Sequence, residues 1–330
     1  MLPVILCLLL VWSTRHETSK ALAFTPARTG SSSTHLKATV TPSSETVIGT
    51  IGNGYLPTLV AKVAANRQHG KSWILCPSAE IEVMQELVAM DGFNTMLPNL
   101  ELVPASDTDR VEELLGESDA LLFGTDDVES VVAPAIIEYM LDPEKLSKLK
   151  RVVAMSRNLS GKGMGFFASA SRTAANAQVW DNSAKSAFQE FEENMRRGAD
   201  RCGADITIVR SGTLKGGACG EDNAFPQYLS EKFYELTKSD IVTWQLLFDC
   251  NVRGVKLAKR DVMPGPGIKA VFAATGVNEH EGDSSRCGVA EAMVRSLEYE
   301  TTSGVDFGVA TVASREIPTD DVWTNLFATL

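Results

Sequence analysis

The chain has no C-x-x-C pair: its six cysteines (Cys7, Cys76, Cys202, Cys219, Cys250 and Cys287) are scattered and keep no metal-type spacing to a histidine. That excludes a zinc-finger or ribbon pattern, and over 330 residues six is too few for a disulfide scaffold. The thiols read as reduced core or surface groups, with a redox-regulated pair as the alternative. Histidine is scarce as well. The nearest approach to a metal set, Glu279-His280-Glu281-Gly282-Asp283, has one histidine in a polar loop and reads as solvated, so no metal is expected. Basic charge is in deficit. The net charge is −11, while residues 1–40 carry Arg15, Lys20, Arg28 and Lys37 against Glu17 alone, so the remainder is more acidic still. An acidic body excludes nucleic acid as the expected partner, because phosphate backbones need a basic face. Internal repeats are absent, and no apolar run after residue 12 is long enough to cross a bilayer.

At the start, Leu2–Trp12 is apolar throughout, the length of a signal-peptide core and too short for a span, and Ala21-Leu22-Ala23 makes an A-x-A cleavage site. Residues 24–44 then contain no Asp or Glu, and ten of them are Ser or Thr, with Arg28, His35 and Lys37 interspersed. This is transit-peptide composition. The order of signal peptide, cleavage site, Phe24 and hydroxyl-rich basic stretch resembles the bipartite plastid presequence of diatoms and related algae with complex plastids. The resemblance implies a plastid location, in the stroma or on the stromal face of the thylakoid, with simple secretion as the alternative. The sequon Asn158-Leu159-Ser160 would then go unused. The expected division is a signal peptide over 1–23, a transit peptide over 24–44 and a folded body over 45–330. No transmembrane span is expected in the mature form.

The body is organised around Glu45–Leu56, ETVIGTIGNGYL. A short β-branched run, Thr46–Ile48, enters three close glycines, Gly49, Gly52 and Gly54, and a helical pattern (Leu56, Leu59, Val60, Val63, Ala64) follows at once. A strand, a glycine turn and a helix hold a dinucleotide pyrophosphate, because glycines let the backbone approach the phosphates and the helix N-terminus supplies N–H donors. Short apolar runs then alternate with helical patterns, the signature of βαβ units and a parallel sheet. The runs are 72–76, 100–103, 119–124, 151–156 and 205–210, with helices expected at 79–89 (capped by Ser78), after Asp107 or Asp109, and from about Asn182 to Cys202. Glu190, Glu192, Glu193, Arg196 and Arg197 stand at helical spacing and read as a salt-bridged solvent face. Residues 211–268 are less regular and read as a variable insertion. They hold an apolar helix around Trp244 and the breaker Pro264-Gly-Pro-Gly267. A strand at 269–273, a helix over 288–297 and a strand near 307–312 close the chain.

Several pieces in this order carry a resemblance. They are the glycine turn, Ser-Asp-Ala-Leu-Leu-Phe-Gly (118–124), Val-Val-Ala-Met-Ser (152–156), Gly-Ala-Asp-Ile-Thr-Ile-Val-Arg-Ser-Gly (203–212) and Arg-Cys-Gly-Val-Ala-Glu-Ala (286–292). Together they resemble the atypical, extended-like and NmrA-like short-chain dehydrogenase/reductase superfamily over roughly 45–330. The resemblance implies an α/β fold: a doubly wound, Rossmann-type parallel sheet with a small irregular or helical C-terminal portion. It also implies binding of a nicotinamide dinucleotide. The cofactor contacts would be Gly49, Thr50, Ile51, Gly52, Asn53, Gly54, Ser78, Gly124, Thr125 and Ser156, and the catalytic residues Ser156 and Lys185.

The departures from the family pattern are specific. The third glycine is replaced by Tyr55, the family's Asp after the third strand falls at Pro104, and the Tyr of Y-x-x-x-K is Asp181 before Lys185. An anionic carboxylate cannot do the work of a phenol made acidic by a nearby ammonium. The end of the second strand, Cys76-Pro77-Ser78, has neither the acid that selects NAD nor an Arg that would hold a 2′-phosphate; the missing acid and the plastid location lean slightly towards NADP, with NAD as the alternative. Two function classes follow. The first is a plastid NAD(P)-dependent oxidoreductase of the atypical dehydrogenase type. The second is a non-catalytic scaffold, an assembly or stability factor for photosynthetic complexes built on a degenerate dehydrogenase fold.

Overall fold

The structure is a computed structural model that describes residues 38–67, 70–88, 97–126, 131–157, 182–215, 254–261, 283–312, 314 and 316–330. The signal segment, most of the transit segment, the stretch around Trp244 and the strand expected at 269–273 lie outside these residues. The described residues all belong to one compact unit, Ala38–Leu330.

Its elements are β1 (Val47–Ile51), α1 (Tyr55–Asn66), β2 (Lys71–Cys76), α2 (Ile81–Val88), β3 (Leu100–Pro104), α3 (Thr108–Glu117), β4 (Ala120–Phe123), α4 (Pro134–Met140), β5 (Arg151–Arg157), α5 (Asn182–Arg201), β6 (Asp205–Ser211), β7 (Thr213–Lys215), β8 (Gly254–Lys259), β9 (Asp283–Ser285), α6 (Arg286–Arg295), β10 (Asp306–Val312) and α7 (Asp320–Ala328). Eight strands form one sheet in the order β3-β2-β1-β4-β5-β6-β10-β8, and β7 pairs with β9 separately. Every neighbouring pair in the large sheet is parallel except β10–β8. The chain winds outward from β1 to β3, returns to β4, and winds outward again on the other side. That is the doubly wound, Rossmann-type arrangement, whose order reverses between β1 and β4.

The alternation of side chains along each strand divides the core into two layers. On one face α1 and α6 cover Ile48, Ile74, Val153, Met155 and Phe307. On the other, α3, α4 and α5 cover Ile51, Trp73, Leu121, Phe123 and Val152. These inner strands are apolar on both faces, as parallel strands covered by crossover helices must be.

Several local expectations change. β1 does not stop at the first glycine but runs on to Ile51. Ser78 caps no helix: it opens a short 3-10 turn, Ser78–Glu80, and its hydroxyl donates to Ser106 Oγ at 2.7 Å. Asp107 is the cap of α3, accepting from the Arg110 N–H at 3.2 Å. The region expected to be irregular contributes β8, the antiparallel edge strand. The terminal helix α7 was not anticipated, although Thr319 before Asp320-Asp321 is a helix-start signal; Thr319 Oγ1 accepts from Val322 N–H.

Glu192 does not belong to a solvent face. It is buried, and its carboxylate takes both forks of Arg210 on β6, at 2.9 and 2.7 Å. Arg210 also reaches Asp306, which Arg196 holds at 2.6 Å, so the charges of α5 stitch it to β6 and β10. Of the pairs that helical spacing suggested, Glu192–Arg196 is present at 3.8 Å, but the spacing could not show that a sheet arginine lies underneath.

Residues 38–44, ahead of the expected start of the body, are part of this unit. Val40 is buried and its N–H donates to Leu297 O at 2.8 Å. The Ala38 N–H donates to Asp205, and the Ala38 carbonyl accepts from Arg151 at 2.7 Å. Arg151 is itself fully buried and also donates to Thr207 Oγ1 and Thr302 Oγ1. Burial pulls its guanidinium below the ordinary value, and Asp205 opposes that shift.

Candidate functional site

In an open α/β sheet the ligand crevice lies beyond the carboxyl ends of the strands, where the strand order reverses. Here that point lies between β1 and β4. Gly52 (φ 138°) and Gly54 (φ 116°) take backbone conformations that L side chains rarely adopt. A Cβ on Gly52 would stand 2.1 Å from the Gly124 carbonyl oxygen, so the two strand ends meet backbone to backbone. The turn proper is therefore Gly52-Asn53-Gly54. Gly49, expected as its first glycine, lies inside β1, where a Cβ would stand 2.4 Å from the Trp73 indole and 2.7 Å from Leu121. Its missing side chain is a packing requirement. Thr50 is buried, its Oγ1 lacking a hydrogen-bond partner among the described residues, and Ile51 belongs to the second core layer.

With Gly49 removed from the turn, the motif becomes Gly52-Asn53-Gly54-Tyr55-Leu56-Pro57. Pro57 stands where a third glycine or alanine would allow close helix–strand packing. Its ring carbon would lie 3.1 Å from a Cβ on Gly124 and 3.0 Å from one on Gly52. In the first turn of α1 its missing N–H costs no hydrogen bond.

The N-terminus of α1 already carries an anion. The Leu56 N–H donates to Asp126 Oδ2 at 3.0 Å, and a Cβ on Gly54 would stand 2.2 Å from that same oxygen. Asp126 follows Gly124 and the buried Thr125 beyond the end of β4. Arg286, the first residue of α6, donates Nε to Asp126 Oδ1 at 2.6 Å, and its guanidinium lies 5.8 Å from the Tyr55 ring. Arg157, the last residue of β5, donates to the carbonyl oxygens of Asp126 and Gly212. Both arginines are more than nine-tenths buried. The ends of β1, β4, β5 and β6 are thus joined around one half-buried carboxylate. Sequence reasoning missed Asp126 and Arg157 and met Arg286 only as part of a motif. The available signal was an acid immediately after Gly124-Thr125, at the end of the strand beside the reversal.

The expected catalytic pair is not assembled. Ser156 is fully buried near the end of β5, and its Oγ has no hydrogen-bond partner among the described residues. Lys185, in the first turns of α5, is half-buried and makes no ion pair among the described residues. No described tyrosine reaches Ser156. The Tyr139 hydroxyl donates to Glu112 at 3.2 Å and is pushed up to about 12 by burial and then by Glu112. The Tyr299 hydroxyl pairs with Thr324. Asp181, Tyr228 and Tyr234 lie outside the described residues. Ser78 and Ser106 are exposed at the ends of β2 and β3, where a cofactor ribose would lie. Among the described residues no group of three or more His, Cys, Asp or Glu can hold a metal, and Cys76, Cys202 and Cys287 form no disulfide.

No family model matches the sequence, and no curated protein matches it. Solved structures do. A short-chain dehydrogenase/reductase from Veillonella parvula superposes with a TM-score of 0.47 at 12% identity, covering 84% of this chain and 99% of that one. A wide-type enzyme of the same organism, in complex with NADP, gives 0.46 at 12% identity over 83% and 99%. A Rossmann-fold NAD(P)-binding family protein from Shigella flexneri gives 0.42 at 11% identity over 81% and 94%. At these values the assignment of the fold rests on the strand order itself.

Proposed function

We propose that the protein binds a nicotinamide dinucleotide, NADP in preference to NAD, and acts as a plastid oxidoreductase of the atypical short-chain dehydrogenase type. The observation that carries this reading is the pair of positive-φ glycines, Gly52 and Gly54, at the strand-order reversal, leading into a helix whose N-terminus already holds a carboxylate. A cradle that a Cβ would fill, with an anion seated at a helix start, fits a pyrophosphate. The turn 52–54 and the start of α1 would hold the phosphates, Ser78 with Ser106 the adenosine ribose, and Gly124 with Thr125 the far side of the crevice. The bound cofactor would supply or accept a hydride. Ser156 would offer its unpartnered hydroxyl to the reacting group, and Lys185 would approach the nicotinamide ribose as α5 meets β5. The hydroxyls of Ser78 and Ser106 at the ends of β2 and β3 and the missing acid after β2 support NADP, and the leading sequence supports the plastid.

The test is a thermal-shift titration with NADPH and NADH. A ligand that binds only the native state stabilises it, by about 2.7 kcal/mol at a hundred times Kd. A rise in Tm with NADPH, larger than with NADH, is expected; no rise with either ends this reading. For the location, a fluorescent fusion of residues 1–45 that is secreted rather than imported into the plastid excludes it.

A second reading is the scaffold for photosynthetic complexes. It is favoured by one observation: Ser156 meets neither Lys185 nor a tyrosine among the described residues. Stable co-purification with a thylakoid or stromal complex, without turnover, supports it. Turnover by the isolated protein removes it.

A further inference from the structure

The structure assigns Asp126 a second role: its carboxylate is an internal stand-in for a phosphate group, and it closes the phosphate seat of the dinucleotide site. This rests on the dinucleotide reading above and concerns the regulation of that same site.

The geometry is that of a bound anion. One carboxylate oxygen accepts from the Leu56 N–H at 3.0 Å, and the other accepts from Arg286 Nε at 2.6 Å. Gly54 bends at φ 116° so that its bare Cα faces the carboxylate, with room for no Cβ between them. Glycine, a helix N-terminal N–H and a guanidinium are the donor set that recognises a phosphate. In this chain the set is occupied from within, by a residue on the neighbouring strand's end.

The arrangement is over-determined. Arg157 grips the Asp126 carbonyl oxygen from β5, so both the main chain and the side chain of Asp126 are tied to buried arginines. An incoming phosphate cannot share the seat with Asp126: the contact distances leave no space, and two anions in contact repel. Binding therefore needs the Asp126–Arg286 pair to open. Arg286 is then left without that carboxylate and becomes the cationic ligand of the incoming phosphate. The affinity measured for the wild-type protein is reduced by the fraction of time the seat stands closed.

The experiment compares the wild-type protein with Asp126→Asn and Asp126→Ser. Both variants remove the charge and keep an oxygen acceptor for the Leu56 N–H. Binding of NADPH and of inorganic pyrophosphate is measured by calorimetry, with a thermal melt of each variant as the folding control. Binding of both probes at least tenfold tighter in either variant supports the proposal. Tightening for pyrophosphate alone supports the closed seat and overturns the nicotinamide reading. Equal affinity in wild type and variants overturns the closed seat and leaves the dinucleotide reading standing. Folded variants that bind neither probe overturn both. If neither variant melts cooperatively, Asp126 holds the fold rather than gating a ligand, and the proposal is overturned.

Discussion

Gly49 and Gly54 are five residues apart in the sequence and are bare for different reasons. Gly54 needs a positive φ and a close approach to Asp126. Gly49 has an ordinary strand conformation, but the Trp73 indole fills the space above it. Trp73 is fully buried and donates Nε1–H to Ser118 Oγ at 3.1 Å, so it has no room to withdraw. Gly49→Ala should therefore overpack the β1–β2 core and cost about 1–3 kcal/mol. A urea melt with an unchanged slope and a lower midpoint is the expected record. A wild-type midpoint would mean that Trp73 can yield, and that Gly49 is bare for some other reason. Cys76 is an example of a residue whose environment removes its chemistry: burial pushes its thiol up to about 12, which makes it a core group rather than a redox centre.

At the scale of elements, the segment leading into β1 is the informative case. Its composition is that of a transit peptide, yet Ala38 and Val40 are fixed to Asp205, Arg151 and Leu297. Burying one valine contributes about 1.5–3 kcal/mol, and the tethered backbone adds to it. A protein beginning at Glu45 should melt roughly 3–10 °C below one beginning at Ala38, since ~1 kcal/mol moves Tm by about 2–4 °C in a domain of this order of size. Identical melting curves would show that residues 38–44 contribute nothing to stability. The helix α7 is a comparable closure at the other end, with Phe327 packed edge-on to Phe307 and stacked with Tyr299 and Trp323.

For the whole molecule, the net charge of −11 predicts that the protein passes through heparin at physiological ionic strength; retention there would overturn the exclusion of nucleic acid. The α/β class and the first six strands of the sheet were legible in the sequence, because apolar runs of β-branched residues alternate with amphipathic segments and both periodicities are local properties. So was a glycine turn between β1 and α1, though not that Gly49 lies inside the strand. The antiparallel β8 was not legible, since edge pairing is decided by a partner far along the chain. The burial of Glu192 was hidden for the same reason: helical spacing shows which charges are neighbours on one helix and says nothing of Arg210 beneath them. The contrast is sharpest at the start of α1. The sequence by itself determined that strand, glycine turn and helix would make a place for an anion, because glycine conformation and the helix dipole are built into the local chain. Only the tertiary structure decided which anion stands there. Asp126 reaches the start of α1 because β4 lies beside β1 in the sheet, and Arg286 neutralises it because α6 begins beside the same strand ends.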